Sequence, residues 1–220
     1  MKEIHGREPA LAVLTNPAFV VPPVPPACAG VAWLRATVGR FSHGTEHERR
    51  RALSTAILDR ISPDSLRHAG AVHPVTALAR HLNVTEPVVE LVRDVAQAYQ
   101  PGTGDEPRAD AAVNRLVAIF GGSFDEPTAA RIGVLVQACE ATAALIDRTR
   151  HRRVDDVLRD DPPVPATRRQ ALVTTTVAGV TIHAGEVVRV RLAGDLAFGA
   201  GPRRCPGRAH ALALVAGAHR

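Results

Sequence analysis

Apolar residues recur at helical spacing over most of this chain and become dense in β-branched types only near its end. Residues 8–20 (EPALAVLTNPAFV) read as a short helix ending at Asn16-Pro17, because proline disfavours helix in the residue before it. VPPVPPACAG, 21–30, is a proline-rich turn. From Trp33 to about Arg60 the apolar positions Trp33, Leu34, Val38, Phe41, Ala52, Leu53, Ala56 and Ile57 predict helix, divided by Gly39 and Gly44. Further helices are predicted over 64–82, 86–99 and 109–120. QPGTGDEPR, 100–108, is a polar loop and the candidate internal break. GGSFDEP then caps the longest helix, Thr128–Thr149, whose middle is small and apolar on nearly every face and is therefore expected to be buried. At about 1.5 Å per residue it would run roughly 30 Å. VDDVLRD is a short helix stopped by Pro162-Pro163. LVTTTVAGVTIHAGEVVRVRL then predicts two or three short strands with turns at Ala178-Gly179 and Ala184-Gly185. The fold class is mainly α with a small β portion, expected as one compact domain over 1–220.

Composition narrows the function classes. With 220 residues there is enough chain for one substantial core. No uninterrupted run of about 18 apolar residues occurs, so no membrane span is expected. The start, MKEIHGREPALAVL, lacks the order of a secretion signal. Three cysteines, Cys28, Cys139 and Cys205, at wide spacing fit thiols in a reducing compartment, and a cytoplasmic location is expected. The net charge of +5 could suggest nucleic acid, but Lys2 is the only lysine and aromatic residues are scarce, so no base-stacking platform is expected.

The densest chemistry lies in FGAGPRRCPG, Phe198 to Gly207. Gly199, Gly201 and Gly207 permit backbone conformations barred to other residues. A helix starts just after Cys205, and Arg203 and Arg204 add positive charge, so the loop favours a thiolate. Such a thiolate can be a nucleophile, a zinc ligand or a haem ligand. Zinc is disfavoured because no second cysteine lies close and His210 is a lone candidate, whereas a nucleophile with one of ten histidines as base stays open. A dinucleotide-binding loop fails, since the third glycine of G-x-G-x-x-G would fall at Arg204.

Phe198, Gly201, Arg203, Cys205 and Gly207 together resemble the haem-ligand signature of the cytochrome P-450 superfamily. Four further stretches follow in that family's order. FSHGTEHERRRAL resembles the helix whose H-x-x-x-R meets the haem propionates, here His47 and Arg51. VQACEATAALI resembles the central helix over the haem. Asp156-Val-Leu-Arg159 stands where the family has E-x-x-R. PPVPATRR resembles the segment whose arginine, here Arg168, reaches a propionate. The resemblance, from about Leu11 to the end, implies haem b between the Thr128–Thr149 helix and the Cys205 loop, with Cys205 as axial thiolate. Arg51, Arg168 and Arg203, with His47, would pair the two carboxylates, a task suited to the planar guanidinium.

The pattern also departs from the family's. The chain is about half the usual length; an N-terminal helix, first strands, the proximal bracing segment, the C-terminal hairpin and part of the lid are not visible in it. In the central helix the usual acid-threonine pair reads Glu140-Ala141, with Thr142 one position later. Glu140 and Thr142 are the candidate catalytic residues. The implied function is a haem-thiolate oxidoreductase, monooxygenase- or peroxygenase-like, oxidising a small organic substrate with a ferredoxin-type partner or with peroxide. The basic surface of Arg203, Arg204 and Arg208 would suit an acidic redox partner. The alternative is a non-catalytic haem protein or helper subunit, its open surfaces covered in a homodimer or by a partner protein.

Overall fold

The computed structural model describes residues 1–219. In chain order the elements are β1 (Glu3–Ile4), α1 (Arg7–Thr15), β2 (Phe19–Val20), α2 (Gly30–Thr37), α3 (Gly44–Asp59), α4 (Pro63–Arg67), α5 (Pro74–His81), α6 (Val89–Gln97), α7 (Glu106–Ile119) and α8 (Glu126–Arg148). They continue with α9 (Val154–Asp160), β3 (Ala166–Ala171), β4 (Thr175–Val177), β5 (Val180–Ile182), β6 (Val187–Arg191) and α10 (Arg208–Ala218). The mainly α fold with a small β portion is what the pattern predicts.

Two units partition the chain. The first joins Met1–Pro23 to His151–Cys205; the second joins Val24–Arg150 to the segment from Pro206 onward. In the first, a four-stranded sheet has the order β1-β6-β3-β2, and β4 and β5 form a separate hairpin. β1 runs parallel to β6, while β3 is antiparallel to both β6 and β2. One face of the sheet meets α1 in a core of Ile4, Ala10, Val13, Leu14, Phe19, Ala171, Val188, Val190 and Leu196. Alternation sets that face: Arg169 and Ala171 of β3 are buried while Arg168 between them and Thr167 is exposed.

The second unit is built around α8. Asp125 accepts a hydrogen bond from the Thr128 backbone N–H at 2.8 Å, Pro127 occupies the first turn, and Glu126 complements the helix dipole. From Thr128 to Val136 every residue but Arg131 is buried. From Gln137 on, only Cys139, Thr142 and Leu145 remain buried, a one-sided pattern. The expectation of a middle buried all round thus holds for the N-terminal half alone. By length and composition α8 could cross a membrane, but Ala129, Ile132 and Leu135 are fully buried within its own unit, as in a core helix. Asp110 of α7 takes over the start of α2, accepting from the Val31 N–H at 2.7 Å. Only glycine fits beside it, since a Cβ on Gly30 would lie 2.1 Å from the same carboxylate oxygen.

Three expectations are revised. In the segment 8–20 the helix ends at Asn16-Pro17 as predicted, with Asn16 as the cap of α1, but Phe19–Val20 beyond it is strand β2, held by β3. The helix predicted over 64–82 breaks into α4 and α5, because Gly70 takes φ +72° and Pro74 starts a new helix. Strands do occur near the N-terminus, although β1 has only two residues and depends on β6 for its hydrogen bonds.

Candidate functional site

The loop leading to Cys205 is folded by turns. One 3-10 turn covers Gly194–Leu196 and another Gly201–Arg203. The Cys205 N–H donates to the Phe198 carbonyl at 2.8 Å, closing the loop, and the Arg204 N–H donates to Gly201 at 3.1 Å. Gly201 takes φ +65°, and a Cβ there would stand 2.9 Å from the Leu14 carbonyl at the end of α1. The other end of α1 holds the loop's entry: Arg7 Nε and a terminal nitrogen donate to the same Asp195 oxygen at 2.9 and 2.8 Å. That contact, above all its hydrogen bond, lowers the Asp195 pKa. Gly207, by contrast, has φ −88°, so its place in the loop does not rest on left-handed backbone. Phe198 and Arg203 are half-buried, and the Cys205 thiol is exposed.

Arg168 and Arg169 divide between the two faces of β3. Arg168 is exposed. Arg169 is only 5% exposed. One of its guanidinium nitrogens donates to Thr167 Oγ1 at 3.0 Å and to the Arg168 carbonyl at 2.8 Å. The buried guanidinium was missed in the sequence, where two adjacent arginines gave no means of choosing; the two-residue period of the strand supplies it. In α9 the pair read at 156 and 159 forms, with Arg159 donating to Asp156 at 2.6 Å and also reaching Asp160 at 3.0 Å.

In the second unit, His47 and Arg51 lie one turn apart on α3, His47 buried and Arg51 half-buried. Their neighbours do other work. Arg49 and Arg50 both bind Glu126 at the start of α8, at 2.6 and 2.8 Å. Donation from Arg49 is the first cause holding the Glu126 carboxyl down at about 2.

Glu140 and Thr142 of α8 do not face a common space. Two residues apart on a helix they project about 200° from one another, and Glu140 is exposed while Thr142 is buried. Ala141 between them is half-buried. The Cys139 thiol donates to Glu140 Oε1 at 3.8 Å, and burial, then the Glu140 charge, pushes it up to about 12. Charge from Glu140 also reaches His73, whose pKa is lowered by burial first and by Arg93 second. Cys139 is therefore an inert thiol, unlike exposed Cys205.

Among the described residues no three His, Cys, Asp or Glu side chains gather to hold a metal ion. In the Phe198–Gly207 loop Cys205 is the one thiol, and a lone sulfur donor would suit a metal carried by a macrocycle rather than by a protein cage. A buried guanidinium in the same unit suits the carboxylates that haem carries, so the residues present fit the group. An open hollow of about 380 Å³ lies elsewhere in the first unit, between α1 and the β4–β5 hairpin, lined by Glu8, Pro9, Ala12, Asn16 and Thr175 to Ala178; none of the predicted site residues lines it.

No protein-family model and no curated protein matches the sequence. Solved structures do match the fold. One is P450BioI in complex with hexadec-9Z-enoic acid ligated acyl carrier protein, with TM-score 0.74 and 17% identity over 98% of this chain and 82% of that one. A thermophilic cytochrome P450 from Sulfolobus tokodaii gives TM-score 0.73 and 15% identity over 98% and 83%. CalO2 gives 0.70 and 20% over 97% and 81%.

Proposed function

This chain has the cytochrome P450 fold, and from that premise we propose that it is a haem-thiolate oxidoreductase acting on a small organic substrate. The observation that carries the reading is the turn-locked loop that presents Cys205 as an exposed thiol beside a backbone fold only glycine allows at Gly201. When bound, haem would supply redox chemistry tuned by a thiolate ligand. The first unit provides Cys205 as the iron ligand and Arg169, in place of Arg168, as the buried cation for a propionate. Arg203 adds charge from the loop itself. His47 and Arg51, one turn apart on α3, are the residues the family resemblance offers for the same carboxylate chemistry.

Ala141 and buried Thr142 leave that turn of α8 without an exposed hydroxyl. Glu140 is then the one residue of the trio that presents an exposed polar group. The reading favours hydrogen peroxide, which brings its own protons, over dioxygen with a ferredoxin-type partner. The same observation supports the second reading, a haem protein without turnover. Peroxide-dependent oxidation of a generic aromatic substrate separates the two.

The deciding experiment is the absorption spectrum of haem-reconstituted protein, reduced and exposed to carbon monoxide. A strongly red-shifted Soret band in the wild type, lost in a folded Cys205→Ala variant, is expected. Absence of haem uptake, or a band unchanged by Cys205→Ala, overturns the reading.

A further inference from the structure

Arg168, which the strand turns outward, belongs to a second feature of the first unit. On the outer face of the sheet Arg168 stands directly opposite Arg189, and Arg191 follows two residues along the same strand on the same face. Arg168 and Arg191 are exposed. Arg189 keeps 40% of its side chain exposed and donates to Glu3 at 3.2 Å. His5 lies 3.2 Å from the other Glu3 oxygen. Three guanidinium groups thus share a small face with one carboxylate, and among the described residues Arg168 and Arg191 have no acidic partner. Like charges placed directly across an antiparallel pair oppose sheet formation, so the fold gains nothing by keeping them.

We propose that this arginine face docks an acidic protein. The face is an open sheet surface, so it offers no walls to enclose a small anion, whereas a macromolecular surface can meet all three side chains at once. Directly opposite positions lie about 5 Å apart and alternate positions along a strand about 7 Å. Carboxylates one turn apart on an acidic helix, about 6 Å, match that spacing. The absence of an aromatic side chain from the three central positions counts against single-stranded nucleic acid, whose bases would find nothing to stack on. The inference does not depend on haem, and it is separate from the basic loop residues Arg203 and Arg204.

The test uses the full chain and a fluorescein-labelled twelve-residue polyglutamate peptide, with binding read by anisotropy at low and at physiological salt. Wild-type binding that weakens with salt is expected, together with a loss of about tenfold in Arg168→Gln/Arg191→Gln. A control variant, Arg60→Gln/Arg80→Gln, removes two exposed arginines from the second unit and should stay within twofold. Equal losses in both variants, or a loss carried by Arg203→Gln/Arg204→Gln instead, overturn the proposal, as does absence of binding at low salt. Tighter, equally arginine-dependent binding of a single-stranded DNA of the same length overturns it in favour of nucleic acid. Phenylglyoxal modification of the wild type, mapped by mass spectrometry, reads the face without any variant: the peptide should protect Arg168 and Arg191 and leave Arg60 and Arg80 reactive.

Discussion

Two arginine runs, Arg49-Arg50-Arg51 on α3 and Arg168-Arg169 on β3, look alike in sequence and are sorted by different rules. On a helix, successive side chains turn by about 100°, so neighbours can still share a partner. Arg49 and Arg50 do share Glu126, while Arg51 falls one turn beyond His47. On a strand, successive side chains point to opposite faces, so neighbours cannot share anything. Arg168 goes to solvent and Arg169 into the core side. A run of like residues therefore contains as many roles as its local geometry has directions, and the period decides which member can belong to a site.

The largest effect that would sharpen this comparison is expected at Arg169. Arg169→Gln should lower haem affinity at least tenfold in a haem titration, and Arg168→Gln should leave it within twofold. Arg169→Ala should also cost about 2–3 kcal/mol in urea unfolding, because it empties a buried position and strands the Thr167 hydroxyl. Equal haem losses at 168 and 169 would break the comparison on its strand side.

Much of the fold was legible because its helices carry their own signals. Thr128–Thr149 was readable from its apolar density and from the Asp125 cap, and the division of α2 from α3 from Gly39 and Gly44. The strands at the N-terminus were not. Glu3–Ile4 and Phe19–Val20 are two-residue segments whose partners lie far along the chain, and no local pattern can announce a pairing made at that distance. β3 was hidden for a different reason: ATRRQA is too polar to read as a strand, and its antiparallel partner β6 supplies the apolar positions. At the site, the Cys205 loop was legible because its glycine and turn chemistry is local. The division of roles around Ala141 was legible as helical phase, but that Thr142 would be the buried member depends on what packs against α8.

The next effect tests the helix side. Glu126 is held at about 2 against an ordinary 4.5, with donation from Arg49 as its first cause. A carboxylate with a depressed folded value contributes stability that is fully present above its unfolded value, near pH 4.5, and is lost as pH falls from there toward 2. Glu126→Gln should therefore cost about 1–2 kcal/mol at neutral pH and flatten the acid limb of the stability profile. Arg50→Ala should cost more than Arg49→Ala. Arg50 is mostly buried and also donates to Ser42 Oγ at 2.6 Å and to the Ala36 carbonyl at 2.8 Å, whereas Arg49 is exposed. A profile as steep in Glu126→Gln as in the wild type would assign the acid limb to another group and leave the shared clamp without energetic weight.

The smallest effect lies on the outer face of β3. Because Arg168 faces Arg189 across the ladder, Arg168→Gln should raise stability by a few tenths of a kcal/mol, roughly 0.2–0.5, with the gain shrinking as salt is added. In an Arg189→Gln background the gain should vanish, since no repulsion is left to relieve. A gain that persists there would belong to some other consequence of the substitution, such as strand propensity. A loss of a full kcal/mol or more would mean that Arg168, and not Arg169 alone, is held by the fold. In that case the sorting by strand period would fail, and the cofactor role would return to the pair as a whole.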